Sequence, residues 1–291
     1  MKDIIKEIRL QLKMSQSDFA DCLDVSFATV NRWENGRAIP TQLAQSKLYE
    51  LCCERKVSVY KMILDKIAKI AADIEPKDNR ILLYHGSKSG ISGDIAPKSR
   101  RQCDFGKGFY MGTDPSQPLT LICDFDESKF YIVSADINKL QKLEVGVGME
   151  WAMLVAYNRG KMEMIKNTAL YNKYRAMMTD KDLIIGSIAD DRMFYVIDNF
   201  FIGNITDVAL VNCLSALNLG KQYVAVSQKA CDAINIESEI TLSHLERLAI
   251  RSVAADNREN GISLANDICK KNRRDGKFFD EILDDAKGEI L

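Results

Sequence analysis

The spacing of hydrophobic residues changes near residue 80, and this change restricts the chain to folds that combine two kinds of domain. Before it, Ile4, Ile5, Ile8 and Leu12 recur at the spacing of an amphipathic helix. After it, short runs of β-forming residues alternate with segments of helical spacing, which favours a mixed α+β domain. The β-rich runs are 81–84, 130–135, 183–188 and 222–226, and the helical segments are 151–158 and 207–217.

The chain is therefore predicted to be a multi-domain protein. An all-α domain takes residues 1–66, and the polar, proline-containing end of segment 67–79 predicts a linker. The α+β domain takes residues 80–240, and a charged helical extension takes residues 241–291.

Composition excludes several classes of function. The 40 basic and 41 acidic residues give a net charge of −1, so no overall field attracts nucleic acid or a membrane. No apolar run approaches the roughly 18–20 residues that span a bilayer, and the N-terminus is too charged for a signal peptide. Eight cysteines without Cys-x-x-Cys spacing and only two histidines predict reduced thiols and no zinc site. We expect a cytoplasmic protein that binds no metal and no membrane.

Helix signals in the N-terminal segment predict a helix-turn-helix. Ser15, with Asp18 three residues on, is typical of a helix N-cap, and Ser26 can cap a further helix over 27–34. A tight turn at 23–25 separates these helices, and Gly36 suits the end of the second one. Two short helices joined in this way form the DNA-reading unit of many repressors.

This segment resembles the Xre/Cro-type repressor family, most strongly at Gln16 and at Trp33-Glu34-Asn35-Gly36. The resemblance implies that the chain binds a double-stranded DNA operator as a homodimer. It places Phe27, Ala28 and Arg32 against base edges, and Gln16, Asn31 and Arg37 against phosphates or sugars. An arginine can contact guanine through two hydrogen bonds, and an apolar side chain can touch a thymine methyl group.

A second interpretation of the N-terminal segment stays open. Residues 1–66 contain 11 basic and 9 acidic residues, so their attraction to phosphate is modest. The helix-turn-helix could instead serve dimerisation or partner binding.

One of the two histidines, His85, ends the apolar run 81–84 and precedes Gly86-Ser87. Such a histidine is commonly a packed core residue. A glycine-rich turn follows at 104–114, Asp-Phe-Gly-Lys-Gly-Phe-Tyr-Met-Gly-Thr-Asp, and glycine allows a ligand to approach the backbone closely. The combination of the two motifs favours a ligand site.

These motifs resemble the ADP-ribosyltransferase superfamily, and within it an uncharacterised bacterial family. The resemblance covers residues 80–237 and includes Glu150-Trp151, the segment 185–191 and Gln222-Tyr223. It implies an ADP-ribosyltransferase-like fold with NAD as the substrate.

The resemblance also implies roles for individual residues. His85 would hydrogen-bond a hydroxyl of the nicotinamide ribose, Gly86 would hold the carboxamide through its backbone, and Tyr110 would stack on the nicotinamide ring. Gln222 falls at the third catalytic position. Ser87, Gly106 and Lys107 complete the expected NAD-binding set.

Gln222 departs from the glutamate that many transferases of this superfamily carry. Glutamine can hydrogen-bond the ribose but offers no full charge to the cation that forms when the nicotinamide–ribose bond breaks. Asp190 and Asp191, at the end of a predicted buried strand, are candidates for the missing charge; they could equally cap a helix. Arg100 and Arg101 could reach the pyrophosphate of NAD, or remain solvated.

We therefore expect a DNA-binding ADP-ribosyltransferase-like protein that transfers ADP-ribose from NAD to a protein or nucleic acid. A role as a toxin or phage-defence component, with autoregulation of its operon and a neutralising partner protein, follows by analogy. The alternative is a non-catalytic transcriptional regulator that senses NAD or a related nucleotide. An inert interaction module is a third interpretation.

Overall fold

The computed structural model describes residues 1–74, 79–188, 191–217, 220–273 and 275–287. Its first part is a bundle of short helices, and all but the first begin after a Ser or Thr whose side chain caps them. The helices of this bundle are α1 (Lys2–Gln11), α2 (Gln16–Cys22), α3 (Phe27–Glu34), α4 (Gln42–Glu54) and α5 (Val59–Asp73).

Local hydrogen bonds explain where these helices begin and end. The Ser15 hydroxyl accepts a bond from the Asp18 N–H, and the Asp18 carboxylate accepts one from the Ser15 N–H, which confirms the predicted cap. The Ser26 hydroxyl caps α3 by accepting a hydrogen bond from the Thr29 N–H. Gly36, with φ of +69°, follows α3 in the left-handed region that glycine adopts easily. Helix α5 runs on to Asp73, so residues 67–73, which the sequence assigns to a linker, are helical.

The second part combines a sheet with helices. Its strands are β1 (Arg80–Ser87), β2 (Phe109–Gly112), β3 (Lys129–Asp136), β4 (Lys142–Glu144), β5 (Leu183–Ser187), β6 (Lys221–Ala225) and β7 (Ile234–Thr241). Its helices are α6 (Ser116–Ile122), α7 (Met149–Asn158), α8 (Ala169–Met178), α9 (Asp191–Phe201), α10 (Asp207–Ala216), α11 (Gln228–Asp232), α12 (His244–Lys271) and α13 (Phe279–Lys287). The predicted order of a helical region, a mixed α/β region and C-terminal helices is confirmed.

Within the described residues the strands form one seven-stranded sheet in the order β4-β5-β6-β2-β1-β3-β7. Neighbouring strands are antiparallel, except that β4 and β5 are parallel. The central strands β2 and β6 pair from Phe109 with Ala225 to Gly112 with Gln222. Each of the four β-rich runs predicted from the sequence overlaps a strand of this sheet, although residues 188 and 226 lie one residue beyond β5 and β6.

Two large hydrophobic clusters cover one face of the sheet. Ile184 of β5 and Val224 of β6 pack in the first cluster, which α7, α8, α9 and α10 complete around the buried Trp151. Phe130 and Ile132 of β3 pack in the second, together with Leu119 and Ile122 of α6. The second cluster also contains the core of the helical bundle, so the bundle and the sheet share one apolar interior.

Polar contacts reinforce the junction between the bundle and α12. The Leu245 N–H donates to the side-chain oxygen of Gln45, 2.9 Å away, and Lys66 lies 3.2 Å from the Glu246 carboxylate. His244 is half-buried, with Nε2 3.1 Å from the Ser46 hydroxyl. None of the helices in the described ranges is long and apolar enough to cross a membrane.

Candidate functional site

A cavity opens where β1 and β2 separate. Strand β1 pairs with β3 from Arg80 to Ser87, but it pairs with β2 only at Tyr84 and Gly112. Beyond that point the two strands diverge, and the space between them forms a cavity of about 260 Å³. The residues that line it include His85, Gly86, Asp104, Tyr110, Arg159 and Gln222.

Helix α6 closes one side of this cavity and explains the glycine after His85. A Cβ atom on Gly86 would lie 2.6 Å from the backbone oxygen of Pro118 and 2.8 Å from Cγ2 of Ile122. Both distances are too short for real contacts, so only glycine lets α6 approach β1 this closely. Gln117, Pro118 and Leu121 of α6 consequently reach the cavity wall.

His85 spans the gap between the diverging strands. Its Nδ1 lies 2.7 Å from the backbone oxygen of Tyr110, and since a carbonyl only accepts, Nδ1 carries the proton. Burial lowers the pKa of His85 to about 4, although this hydrogen bond acts in the opposite direction. The ring is therefore neutral at physiological pH, and its Nε2 is a hydrogen-bond acceptor. The rings of His85 and Phe109 stack with centroids 4.1 Å apart, which fixes the imidazole plane.

The glycine-rich turn holds the Tyr110 ring in place. The Tyr110 hydroxyl donates to the Gly106 carbonyl at 2.8 Å and accepts from the Phe105 N–H at 3.1 Å. Burial raises the pKa of this phenol, so the hydroxyl stays protonated. With its hydroxyl anchored, Tyr110 presents its ring as a fixed wall of the cavity.

Gln222 is the second residue of β6 and is almost fully buried, with 6% of its surface exposed. Its neighbours across the sheet are Gly112 on β2 and Gly186 on β5. The side-chain amide donates to the Ser187 carbonyl at 2.8 Å. The amide group is thus held in one orientation at the floor of the cavity.

A buried ion pair lies beside Gln222. The Asp104 carboxylate accepts from Nε of Arg159 at 3.0 Å and lies 2.8 Å from its Nη2. Burial raises the pKa of Asp104, while the ion pair with Arg159 and a hydrogen bond from Gln222 oppose that rise. Asp104 and Arg159 line the same cavity as His85, and the sequence analysis identified neither. The only sequence signal for Asp104 is its place at the start of the glycine-rich motif.

The glycines of the turn have backbone roles. Gly106 adopts a φ of +72°, which favours glycine, and a Cβ on Gly108 would lie 2.5 Å from Cγ1 of Val224. Lys107, between them, is exposed, and neither Gly106 nor Lys107 lines the cavity. The Gly106 carbonyl still orients Tyr110, so this residue contributes to the site indirectly.

A larger groove of about 650 Å³ continues from the cavity. His85, Gly86, Arg100 and Tyr110 line both spaces. Ser87 also lines the groove, and its hydroxyl donates to the Gly90 carbonyl at 2.8 Å. The cationic side chains of the groove are Lys88, Lys98 and Arg100; the exposed Arg101 lines neither space.

The two acidic candidates at the end of β5 have no described place in the cavity. Asp190 lies outside the described residues. Asp191 is the first residue of α9, and its side chain is likewise outside them.

The helix-turn-helix forms a second candidate site at the other end of the chain. A buried carboxylate, Glu34, organises it: Arg9 of α1 donates to Glu34 through Nε at 2.6 Å and through Nη2 at 3.0 Å. Gln16, the first residue of α2, donates to the same carboxylate at 2.7 Å. One carboxylate at the end of α3 thus joins three helices.

The residues expected to contact DNA divide into two groups. Phe27, Ala28, Arg32 and Arg37 are exposed on or just after α3, with 52% of the Phe27 surface accessible. Gln16 and Asn31 are half-buried and joined, since the Asn31 amide donates to the Gln16 oxygen at 3.4 Å. The first group presents its side chains to solvent, and the second is held against the helix framework.

Comparison with known families identifies both parts of the chain. The family model described as "Protein of unknown function (DUF3990)" matches residues 81–236, more than half of the chain. The chain belongs to the DUF3990 family. A second model, described as "Helix-turn-helix", matches residues 5–48, which include α2 and α3. No curated protein and no solved structure matches the chain.

The DUF3990 domain brings together three of the side chains singled out in the sequence, namely His85, Tyr110 and Gln222. It adds Asp104 and Arg159, which come from the glycine-rich turn and from the C-terminal end of α7. In the described part of the DUF3990 domain and of the rest of the chain, no three His, Cys, Asp or Glu side chains are placed to hold a metal ion.

Proposed function

We propose that the DUF3990 domain transfers ADP-ribose from NAD to a macromolecular acceptor, and that the DNA-binding helix-turn-helix is fused to this activity. The observation that carries the proposal is the convergence of His85, Tyr110 and Gln222 on one cavity. These residues are separated in sequence, and they meet where β1 and β2 part.

The chemistry of the cavity suits a nicotinamide riboside. A neutral histidine with Nε2 as an acceptor can hold a ribose hydroxyl, and the anchored Tyr110 ring offers a flat apolar surface to nicotinamide. Gln222 can accept or donate a further hydrogen bond to the sugar. Breaking the bond between ring and ribose requires that both be oriented and that the positive charge forming on the ribose be stabilised.

The adjoining groove suits the remainder of NAD. Its volume exceeds that of the cavity, and Lys88, Lys98 and Arg100 give it positive charge. A pyrophosphate carries negative charge and is held in proteins by such side chains. The groove and the cavity share residues, so one extended ligand could occupy both.

The direct test is nicotinamide release from NAD by the purified full chain, with and without DNA and cell lysate. We expect release in the wild type and a loss of at least about 100-fold in His85→Ala. Tyr195→Phe alters a tyrosine outside both spaces and should retain full release. Isotopically labelled NAD would then identify the acceptor. Equal release by the wild type and His85→Ala would overturn the proposed site.

A second candidate function is a regulator in which NAD or a related nucleotide alters DNA binding without turnover. The observation that favours it is the position of α6, which lines the cavity through Gln117 and Leu121 and packs in the bundle core through Leu119 and Ile122. Ser116, at the start of α6, acts on the pKa of Tyr60 in α5, so these two side chains are neighbours. A ligand that shifts α6 would therefore act directly on the helical bundle.

NAD titrations of operator binding distinguish the two functions. A regulator would show a change in DNA affinity with NAD and no nicotinamide release, and Tyr60→Phe would weaken that change. An enzyme would release nicotinamide whether or not its DNA affinity changes.

The homodimer, the toxin role and a neutralising partner protein belong to the same proposal. Sedimentation of the chain with operator DNA tests whether it is a homodimer.

A further inference from the structure

We propose that Asp104 supplies the negative charge that Gln222 lacks at the third catalytic position, an inference that rests on the proposed transferase function. Asp104 is 7% exposed and lines the cavity together with His85, Tyr110 and Gln222. The carboxylate and the carboxamide therefore face the same space at the cavity floor.

The ion pair leaves this carboxylate able to act on a ligand. Both of the Arg159 contacts given above end on Oδ1 of Asp104. A carboxylate has about four acceptor positions on its two oxygens, so Asp104 can accept a ribose hydroxyl while Arg159 holds it in place. Burial raises the pKa of Asp104 above its usual value, and the ion pair with Arg159 counteracts this rise by favouring the ionised form.

Asp104 is buried and lines the cavity, whereas the other carboxylate near Arg159 does neither. Asp198 lies 3.5 Å from Nη1 of Arg159, but 60% of its side-chain surface is exposed and it does not line the cavity. An ion pair that served only to anchor Arg159 could use such a surface partner. The buried partner instead faces the space where the sugar would bind.

The role of the charge follows from the bond that breaks. When the bond between ribose C1′ and the nicotinamide nitrogen breaks, its electron pair stays on nitrogen and nicotinamide leaves as a neutral molecule. The positive charge passes to the ribosyl group, where the fixed Asp104 carboxylate stabilises it. A nucleophile of the acceptor, or water, then bonds to C1′ and loses its proton to the solvent. Asp104 itself gains and loses no proton.

The test compares Asp104→Asn with Asp198→Asn, two isosteric changes to carboxylates that contact the same arginine. We expect Asp104→Asn to lower kcat for nicotinamide release at least about 100-fold with KM for NAD within about threefold. Asp198→Asn should stay within about twofold of the wild type in both constants. An unchanged kcat in Asp104→Asn would overturn the role of Asp104 while the transferase function stands. No release by the wild type would overturn both, and is seen before any variant is made.

A charge swap separates catalysis from folding. The double variant Asp104→Asn with Gln222→Glu keeps one carboxylate and one carboxamide at the cavity floor, so it preserves charge and volume there. We expect the kcat of the double variant to be at least about tenfold higher than that of Asp104→Asn. If Asp104→Asn does not fold, release by the folded double variant above that of a matched His85→Ala protein supports the inference. A folded double variant as inactive as His85→Ala contradicts it.

Discussion

The imidazole Nδ1 of His85 donates a hydrogen bond to the backbone carbonyl of Tyr110, and this bond bridges β1 and β2 beyond their last paired residues. This side-chain hydrogen bond takes the place of a backbone hydrogen bond between the two strands. Two consequences follow. The strands stay close enough to enclose a cavity, and the histidine is fixed as the tautomer whose Nε2 accepts a hydrogen bond.

The burial of neutral His85 predicts a pH dependence of stability. In the unfolded chain His85 titrates near its ordinary pKa of 6.5, whereas in the folded chain burial lowers its pKa to about 4. Between these two pH values His85 binds a proton in the unfolded state but not in the folded state. The contribution of His85 to the free energy of unfolding is therefore complete above pH 6.5 and is lost as the pH falls toward 4. The shift corresponds to at most about 3 kcal/mol.

Urea unfolding of the wild type and His85→Asn between pH 7 and pH 4 measures this contribution. We expect the advantage of the wild type over the variant to shrink as the pH falls. His85→Gln also lacks the titrating group, so it should show the same pH dependence as His85→Asn, whatever its absolute stability. Parallel curves for the wild type and both variants would contradict the expectation.

Arg32 is predicted to dominate sequence-specific DNA contact. Its side chain is exposed on α3, where the guanidinium contacts the Thr29 hydroxyl at 3.5 Å and remains able to reach a base edge. We expect Arg32→Ala to weaken operator binding by about 10- to 100-fold at fixed salt concentration, as a lost bidentate guanine contact would. Arg55→Ala, an exposed arginine outside α2 and α3, is the control for loss of charge. An equal loss in both variants would mean that binding there is only electrostatic.

The Arg9–Glu34 pair predicts a large stability effect in the helical bundle. Burial raises the pKa of Glu34, but hydrogen bonds from Arg9 and Gln16 outweigh it and leave the pKa below its usual value. Glu34→Gln leaves the half-buried Arg9 without a counter-charge, so we expect a loss of about 1–3 kcal/mol in the free energy of unfolding. The exposed Glu7→Gln on α1 should change it by less than about 0.5 kcal/mol. Chemical denaturation followed by circular dichroism measures both, and a small effect of Glu34→Gln would show that the pair contributes little.

Features that depend on neighbouring residues could be predicted from the sequence. The Ser15 cap, the end of α3 at Gly36 and the strand that carries His85 all follow from local pattern, and the structure has each of them. Strand β4 has only three residues, too few to give a period. Its pairing with β5 depends on the fold rather than on its own sequence.

Features that depend on distant residues could not be predicted. Asp104 and Arg159 are 55 residues apart, and their pairing appears only when α7 packs beside the glycine-rich turn. The contact of Gln45 with Leu245 joins residues 200 apart. No local pattern identifies such partners, and an amphipathic helix does not specify which surface its apolar face will meet.

The shared interior predicts that the helical bundle and the DUF3990 domain unfold together. Leu245 is fully buried in the cluster that joins the two parts, and its N–H bonds Gln45 of α4. We expect Leu245→Ala to lower the free energy of unfolding by about 2–5 kcal/mol. Because the lost contacts belong to both parts, hydrogen exchange should accelerate in α4 and α5 as well as in α12. Leu264→Ala removes a leucine that is 43% exposed on the same helix and should change neither stability nor exchange by much. Two separate unfolding transitions, with only one shifted by Leu245→Ala, would mean that the two parts fold independently and that α12 merely lies against the bundle.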